Sequence, residues 1–216
     1  MKTWSRLTAV AVLLTVTCTV PTRPAMAQSA SETPGRGEER GRPRHTEADV
    51  RFMQGMIPHH AQALDMTALV PARSRRRDLR LIAERIEVSQ TDEIAWMTRW
   101  LQDRHAEVPD PAAHAHGAGH HGEGRHALMP GMLTPEEMAQ LADATGPAFD
   151  RLFLQFMVRH HEGALLMVAE LHATPGAAQA TEVFRFAADV EADQQAEIGR
   201  MRALLDAPPL PAPHRP

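Results

Sequence analysis

The sequence predicts an all-α chain, a four-helix bundle built from a duplicated helical hairpin. Three observations predict it. Two histidine doublets stand in one register: Phe52, Met56, His59-His60, Ala63 and Met66 recur as Phe153, Met157, His160-His161, Ala164 and Met167, a shift of 101 residues. A second block, Ile86, Gln90, Glu93, Ile94 and Met97, recurs as Val190, Gln194, Glu197, Ile198 and Met201, a shift of 104. Apolar residues elsewhere repeat at helical spacing, and no alternating strand pattern competes. Two shifts this similar mean two hairpins that differ by a few loop residues, and four amphipathic helices of this kind make a bundle.

The elements follow in order. Residues 1–27 read as an export signal. Lys2 and Arg6 precede an uncharged apolar run from Leu7 to Val20, and Ala25-Met26-Ala27 is an A-x-A cleavage site. The run is too short for a good membrane span, which needs about 20 residues. No stable membrane anchor is expected, and Thr15-Val16-Thr17 before Cys18 fits a lipoprotein signal poorly. Residues 28–45, rich in Gly, Pro, Ser, Glu and Arg, read as a disordered leader. The bundle domain then occupies 46–206. Its first helix runs from about Glu47 to Val70 and is closed by Pro71, with a bend expected at Pro58 that Gly55 eases. The second runs from about Arg75 to Arg104, with Leu79, Ile82, Ile86, Ile94, Met97 and Leu101 facing the core. Residues 105–132 break the pattern and form a His-rich linker.

Thr134-Pro135-Glu136-Glu137 starts a short helix: Thr134 caps it, Pro135 suits its first turn and Glu137 completes a capping box. That helix ends near Gly146-Pro147. A third long helix is expected from about Ala148 to His172, stopped by Pro175-Gly176. A fourth is expected from about Ala177 to Asp206, and a Pro-rich tail occupies 207–216.

Composition excludes several classes. The only cysteine, Cys18, leaves with the signal, so any soft-metal ligand in the remaining 189 residues is a Met thioether or a His imidazole. A disulfide scaffold is excluded on the same ground. Loss of Lys2, Arg6 and Arg23 takes the net charge from −4 to −7, which does not suit nucleic acid. No phosphate-binding glycine loop is present.

On a helical wheel, Phe52, Met56, His59, His60, Ala63, Met66 and Thr67 share one broad stripe. Their counterparts Phe153, Met157, His160, His161, Ala164, Met167 and Val168 do the same. The imidazoles therefore face the core beside thioethers, and Met56–His60 and Met157–His161 are i,i+4 pairs. Imidazole with thioether suits Cu(I), and Cu(II) where histidine dominates. Zinc is the alternative ion, but it prefers Cys, His and carboxylate and leaves the methionines unexplained. Taken singly, such methionines are ordinary core fillers. Gln90, Glu93, Gln194 and Glu197 lie on the core face with Met97 and Met201. They need buried partners, and they either orient the imidazoles, ligate directly, or form a network that holds helix register. In the linker, His114, His116, His120, His121 and His126 form a low-complexity run of the metal-binding kind, otherwise a solvated spacer. Met129 and Met132 add two thioethers downstream, for a further Cu(I) contact or to cover the bundle end.

Three segments carry a resemblance. They are Phe52-Met53-x-x-Met56-Ile57-Pro58-His59-His60, then Met129-Pro130-Gly131-Met132, and then the stretch from Phe149-Asp150 through Phe153-Leu154, Met157 and His160-His161 to Gly163-Ala164. Through them the chain resembles the domain of unknown function 305 family of CopM-like copper-binding proteins, over roughly 49–205. The resemblance implies a ferritin-like four-helix bundle in the periplasm or outside the cell, with copper binding and a role in copper tolerance. It also implies metal-site residues at Met56, His59, His60, Met157, His160 and His161. The long His-rich insert departs from many relatives.

The resulting expectation is an exported protein that sequesters copper or passes it to other copper-handling proteins, without turnover. Its binding is expected to weaken as pH falls through the ordinary histidine range near 6.5. Two rivals stand beside it. A ferritin-like metal-dependent oxidase needs Glu-x-x-His on two helices, and the chain has that motif only at Glu123–His126, in the linker. A structural or partner-binding bundle would use its histidines to sense pH.

Overall fold

The computed structural model describes residues 45–112 and 128–207. The export signal, nearly all of the leader, the linker histidines from His114 to His126 and the Pro-rich tail beyond residue 207 lie outside them. The described residues form five helices: α1 (Glu47–Arg73), α2 (Arg77–Gln102), α3 (Pro135–Asp143), α4 (Gly146–Ala173) and α5 (Thr181–Asp206). None of these is long and apolar enough to cross a membrane. The four long ones make the bundle.

Local chemistry sets the boundaries. Thr46 and Asp49 form a capping box at the start of α1, and Thr134 and Glu137 form one at α3. Each satisfies two amide N–H groups that the first turn would leave orphaned. Helix α1 continues unbroken through Pro58 and, against expectation, through Pro71 to Arg73. A proline removes only its own N–H; burial of Val70 and the Ser74 N–H bond to the Val70 carbonyl, at 2.9 Å, hold the last turn. Helix α4 begins at Gly146, because Pro147 in a first turn needs no N–H partner. The last helix starts at Thr181, four residues later than expected. Residues 174–180 instead make a turn in which Ala178 has φ 53° and donates its N–H to Asp49 Oδ1 at 2.7 Å.

Helix α1 packs on α2 and α4 on α5; the hairpins meet through α1–α4 and, more thinly, α2–α5. Core membership gives the directions. One apolar cluster holds Met53, Met56, Met97, Leu101, Val168, Leu171, Val183 and Val190. The other holds Met66, Val70, Leu79, Ile86, Phe149, Phe153, Met157, Ile198 and Met201. Helices α1 and α5 run from the first cluster to the second, and α2 and α4 run back. Every neighbouring pair is thus antiparallel, and the parallel pairs sit on the diagonals. On all four helices the break between clusters falls at the repeated polar residues: His59-His60, Gln90 to Glu93, His160-His161 and Gln194 to Glu197. The bundle has a polar waist between two apolar halves.

Asp49 is fully buried and ties the start of α1 to the turn before α5 through Thr46 and Ala178. Replacing it by alanine leaves the buried Ala178 N–H without an acceptor, so Asp49→Ala should destabilise the fold by about 1–3 kcal/mol in denaturant titration.

Candidate metal centre

The waist gathers the four histidines, all within 1% of full burial. Antiparallel packing of α1 on α4 brings the equivalent rings of His59 and His160 face to face, with centroids 4.0 Å apart and planes tilted by 40°. His60 and His161 lie farther out on either side, 6.4 and 6.3 Å from their doublet partners.

Oxygen acceptors orient three of the rings. His60 Nε2 is 2.5 Å from Glu93 Oε2, and His161 Nε2 is 2.8 Å from Glu197 Oε2. His59 Nε2 is 3.0 Å from the carbonyl oxygen of Pro130. A carbonyl only accepts, so the proton of neutral His59 sits on Nε2. A carboxylate imposes the same tautomer on the other two. Wherever the ring is neutral, the remaining nitrogen, Nδ1, then carries a lone pair. All three Nδ1 atoms are buried without a hydrogen-bond partner, and so are both ring nitrogens of His160. Orienting Nε2–H with an oxygen while Nδ1 stays bare is how proteins prepare imidazole to ligate a metal. Leaving such groups empty costs about 1–3 kcal/mol each, a large share of a typical total stability of about 5–15 kcal/mol.

The supporting residues differ between halves. Glu197 is fully buried, and its Oε1 lies 3.6 Å from Arg85 Nε, an ion pair too long to be a hydrogen bond. Glu93 keeps 14% of its side chain exposed. Gln90, with both amide atoms, and Gln194, with its oxygen, are buried without partners. Burial, reinforced by the neighbouring His60, pushes His59 down to about 3. Burial also holds His160 well below the ordinary range, helped by His59 and His161. At neutral pH this pair carries no proton that a cation must displace, and its protonation does not begin near 6.5 as the sequence alone led us to expect.

The methionines divide. Met56 and Met157 sit one turn before their doublets and, because α1 and α4 oppose, on opposite sides of the waist. Met66 and Met201 lie in the second apolar cluster and Met97 in the first. Met132 is buried beside Leu133. Met129 and Met167 are only half-buried and meet over Gly55. Among the described residues no three His, Cys, Asp or Glu side chains converge tightly enough to enclose an ion by themselves.

Sequence reasoning missed the strap that supplies Pro130. Residues 129–134 cross the bundle between α1 and α4. Gln62 on α1 grips Leu133, accepting from its N–H at 2.7 Å and donating to its carbonyl at 3.0 Å. On α4 the strap lies directly on Gly163, where a Cβ would stand 1.8 Å from the Pro130 oxygen. At Gly131, with φ 78°, a Cβ would stand 2.4 Å from the Arg159 oxygen and 2.9 Å from Gly163 Cα. Gln62 and Gly163 are equivalent positions of the repeat, each adapted to one strap. A glycine inside a strong helical pattern was the available signal, because it costs about 1 kcal/mol against alanine and marks close backbone approach.

Residues 49–205 match the family model described as Domain of unknown function (DUF305). The chain belongs to the DUF305 family. A DUF305 fragment from Deinococcus radiodurans superposes with a TM-score of 0.63 at 31% identity, over 76% of this chain and 98% of that one. CopM in its Cu(II)-bound form gives 0.56 at 28%, over 73% and 95%. The Cu(I)-bound form gives 0.55 at 25%, over 72% and 94%. No curated protein matches the chain.

Two outcomes follow for this DUF305 protein. Gly163→Ala should cost about 1–3 kcal/mol or more by denaturant titration, since backbone rather than a flexible side chain must yield. His59 and His160 are pushed below their unfolded value of about 6.5, so the unfolded chain binds more protons and acid favours unfolding. Their effect is absent above pH 6.5 and grows as pH falls, at roughly 1.4 kcal/mol per pH unit per histidine, for His59 down to about 3. Replacing either by Gln should flatten the measured slope between pH 6 and 4.

Proposed function

We propose that this DUF305 protein is an exported copper-binding protein that sequesters or hands on copper through the histidines of its waist. The observation that carries the proposal is the set of bare, buried Nδ1 lone pairs around the His59–His160 pair, three of them with the tautomer set by Glu93, Glu197 or Pro130. Copper is cargo in this reading. The waist would hold it through His59, His60, His160 and His161, with Met56 and Met157 as the nearest sulfur donors in sequence on either side. Glu93 and Glu197 orient two of the rings and offset the charge of the ion.

The donor chemistry favours Cu(I), which accepts few ligands and takes imidazole and thioether; Zn(II) asks for four tetrahedral donors, usually with thiolate or carboxylate. CopM, similar over most of this chain, is known in Cu(I)- and Cu(II)-bound forms, which supports the same choice. The linker histidines His114, His116, His120, His121 and His126 would gather copper at lower affinity, and Met66 and Met167 would stand as further thioethers on opposite sides of the waist. A pH-sensing role fits His59 and His160 poorly, because burial takes their titration below the range in which cells vary.

Competition titration with a Cu(I) chelator tests the reading. The His59→Ala/His160→Ala variant should lose about 10-fold or more in affinity at the tightest site, with Glu93→Gln weakening it less. Unchanged affinity in the double variant would overturn it. Binding by the parent should persist below pH 6, where an ordinary exposed histidine site has lost its ion.

A further inference from the structure

A second metal-ligating cluster lies outside the waist. Met129, on the strap, and Met167, on α4, come from different elements and converge on one point of α1. A Cβ at Gly55 would stand 3.3 Å from the Met167 methyl and 3.4 Å from the Met129 sulfur. Glycine at this position leaves room that any side chain would take, and the thioethers occupy its rim. Beside them opens a cavity of about 290 Å³, lined among others by Phe52, Gly55, Met129, Pro130 and Met167 and by the charged side chains Arg51 and Glu170. The methionines buried in the two apolar halves fill space between close-packed neighbours. These two are half-buried at a solvent-open hollow, where packing alone does not call for sulfur.

The cavity and the waist share a wall. Pro130 lines the hollow, and its carbonyl accepts from His59 Nε2 on the inner side. Met129 is its chain neighbour. An ion held by the two sulfurs thus sits one peptide group away from a ring of the buried pair.

We propose that Met129 and Met167, meeting over Gly55, form an outer site for a soft monovalent cation, Cu(I) or Ag(I), at the entrance to the histidine waist. Thioether is a neutral, polarisable donor that selects such ions over Zn(II), Mg(II) or Ca(II). Two neutral sulfurs add no charge of their own; the rim carries Glu170 and also Arg51, which pairs with Glu47 at 3.7 Å. Binding at this site stands on the placement of the Met129 sulfur and the Met167 methyl group against the same point of Gly55, beside one cavity; only the onward transfer to His59 rests on the function proposed above.

The test uses the full chain with methyl-labelled methionine and Ag(I), which has no redox chemistry to complicate the titration. The methyl signals of Met129 and Met167 should move with the first equivalents added, while that of Met138, half-buried elsewhere, stays put. Met129→Leu and Met167→Leu remove sulfur at nearly constant volume, and each should lower the affinity of this site by about 10-fold or more. Zn(II) should move neither signal. If Ag(I) leaves both methyls unmoved in the folded parent, the outer site is wrong, whatever the variants do. Movement of both methyls in the His59→Ala/His160→Ala variant supports the outer site even if the waist binds nothing. Shifts of the histidine signals alone would keep the waist and discard the outer site.

Discussion

The structure depends on holding imidazole rings in an interior sealed from solvent. Four rings are packed between two apolar halves of one bundle, and each must be denied water without being denied every partner. Glu93, Glu197 and the Pro130 carbonyl meet this constraint on one nitrogen of three rings and leave the other nitrogen bare. The arrangement is unfavourable as an end in itself, because the same positions filled by leucine or phenylalanine would pack without unmet polar atoms. Its presence on all four helices, at equivalent positions of a repeat, is what the function proposed above requires: a site that a cation completes.

The repeated pattern is not carried through symmetrically. His60 and His161 have equivalent acceptors, both glutamates from the second helix of their own hairpin. His59 and His160 do not: the strap carbonyl accepts from His59, whereas only the His59 main chain approaches the His160 ring, too loosely for a well-formed hydrogen bond. A single segment inserted between two copies can lean on only one of them. Gln62 and Gly163, which occupy the same position in the repeat, show the accommodation, one reaching out to hold the strap and the other receding beneath it.

Much of the fold was legible in the sequence. Periodicity located the long helices, the recurring blocks paired them into hairpins, and the Thr134 to Glu137 motif marked the short helix correctly. Misplaced boundaries trace to proline and to tertiary contact: Pro71 was read as a stop although only its own N–H is lost, and the start of α5 is displaced by Asp49, 129 residues away from its partner Ala178. Within the waist, spacing showed which residues share the core face. It did not show that an oxygen of the main chain would orient His59, because a carbonyl carries no identity in a sequence. The convergence of Met129 with Met167 was equally hidden, since the two stand on separate elements and meet only through the path of the strap.

That path has an evolutionary consequence. Glu93 and Glu197 are each one codon change from losing their role, but the acceptor on His59 belongs to the peptide backbone and survives any substitution at Pro130 that keeps the chain in place. Point mutation reaches it only indirectly, by adding bulk at Gly163 or Gly131. The ring most protected against genetic drift is therefore His59, in the central pair, and variation among relatives should show itself first at the carboxylates.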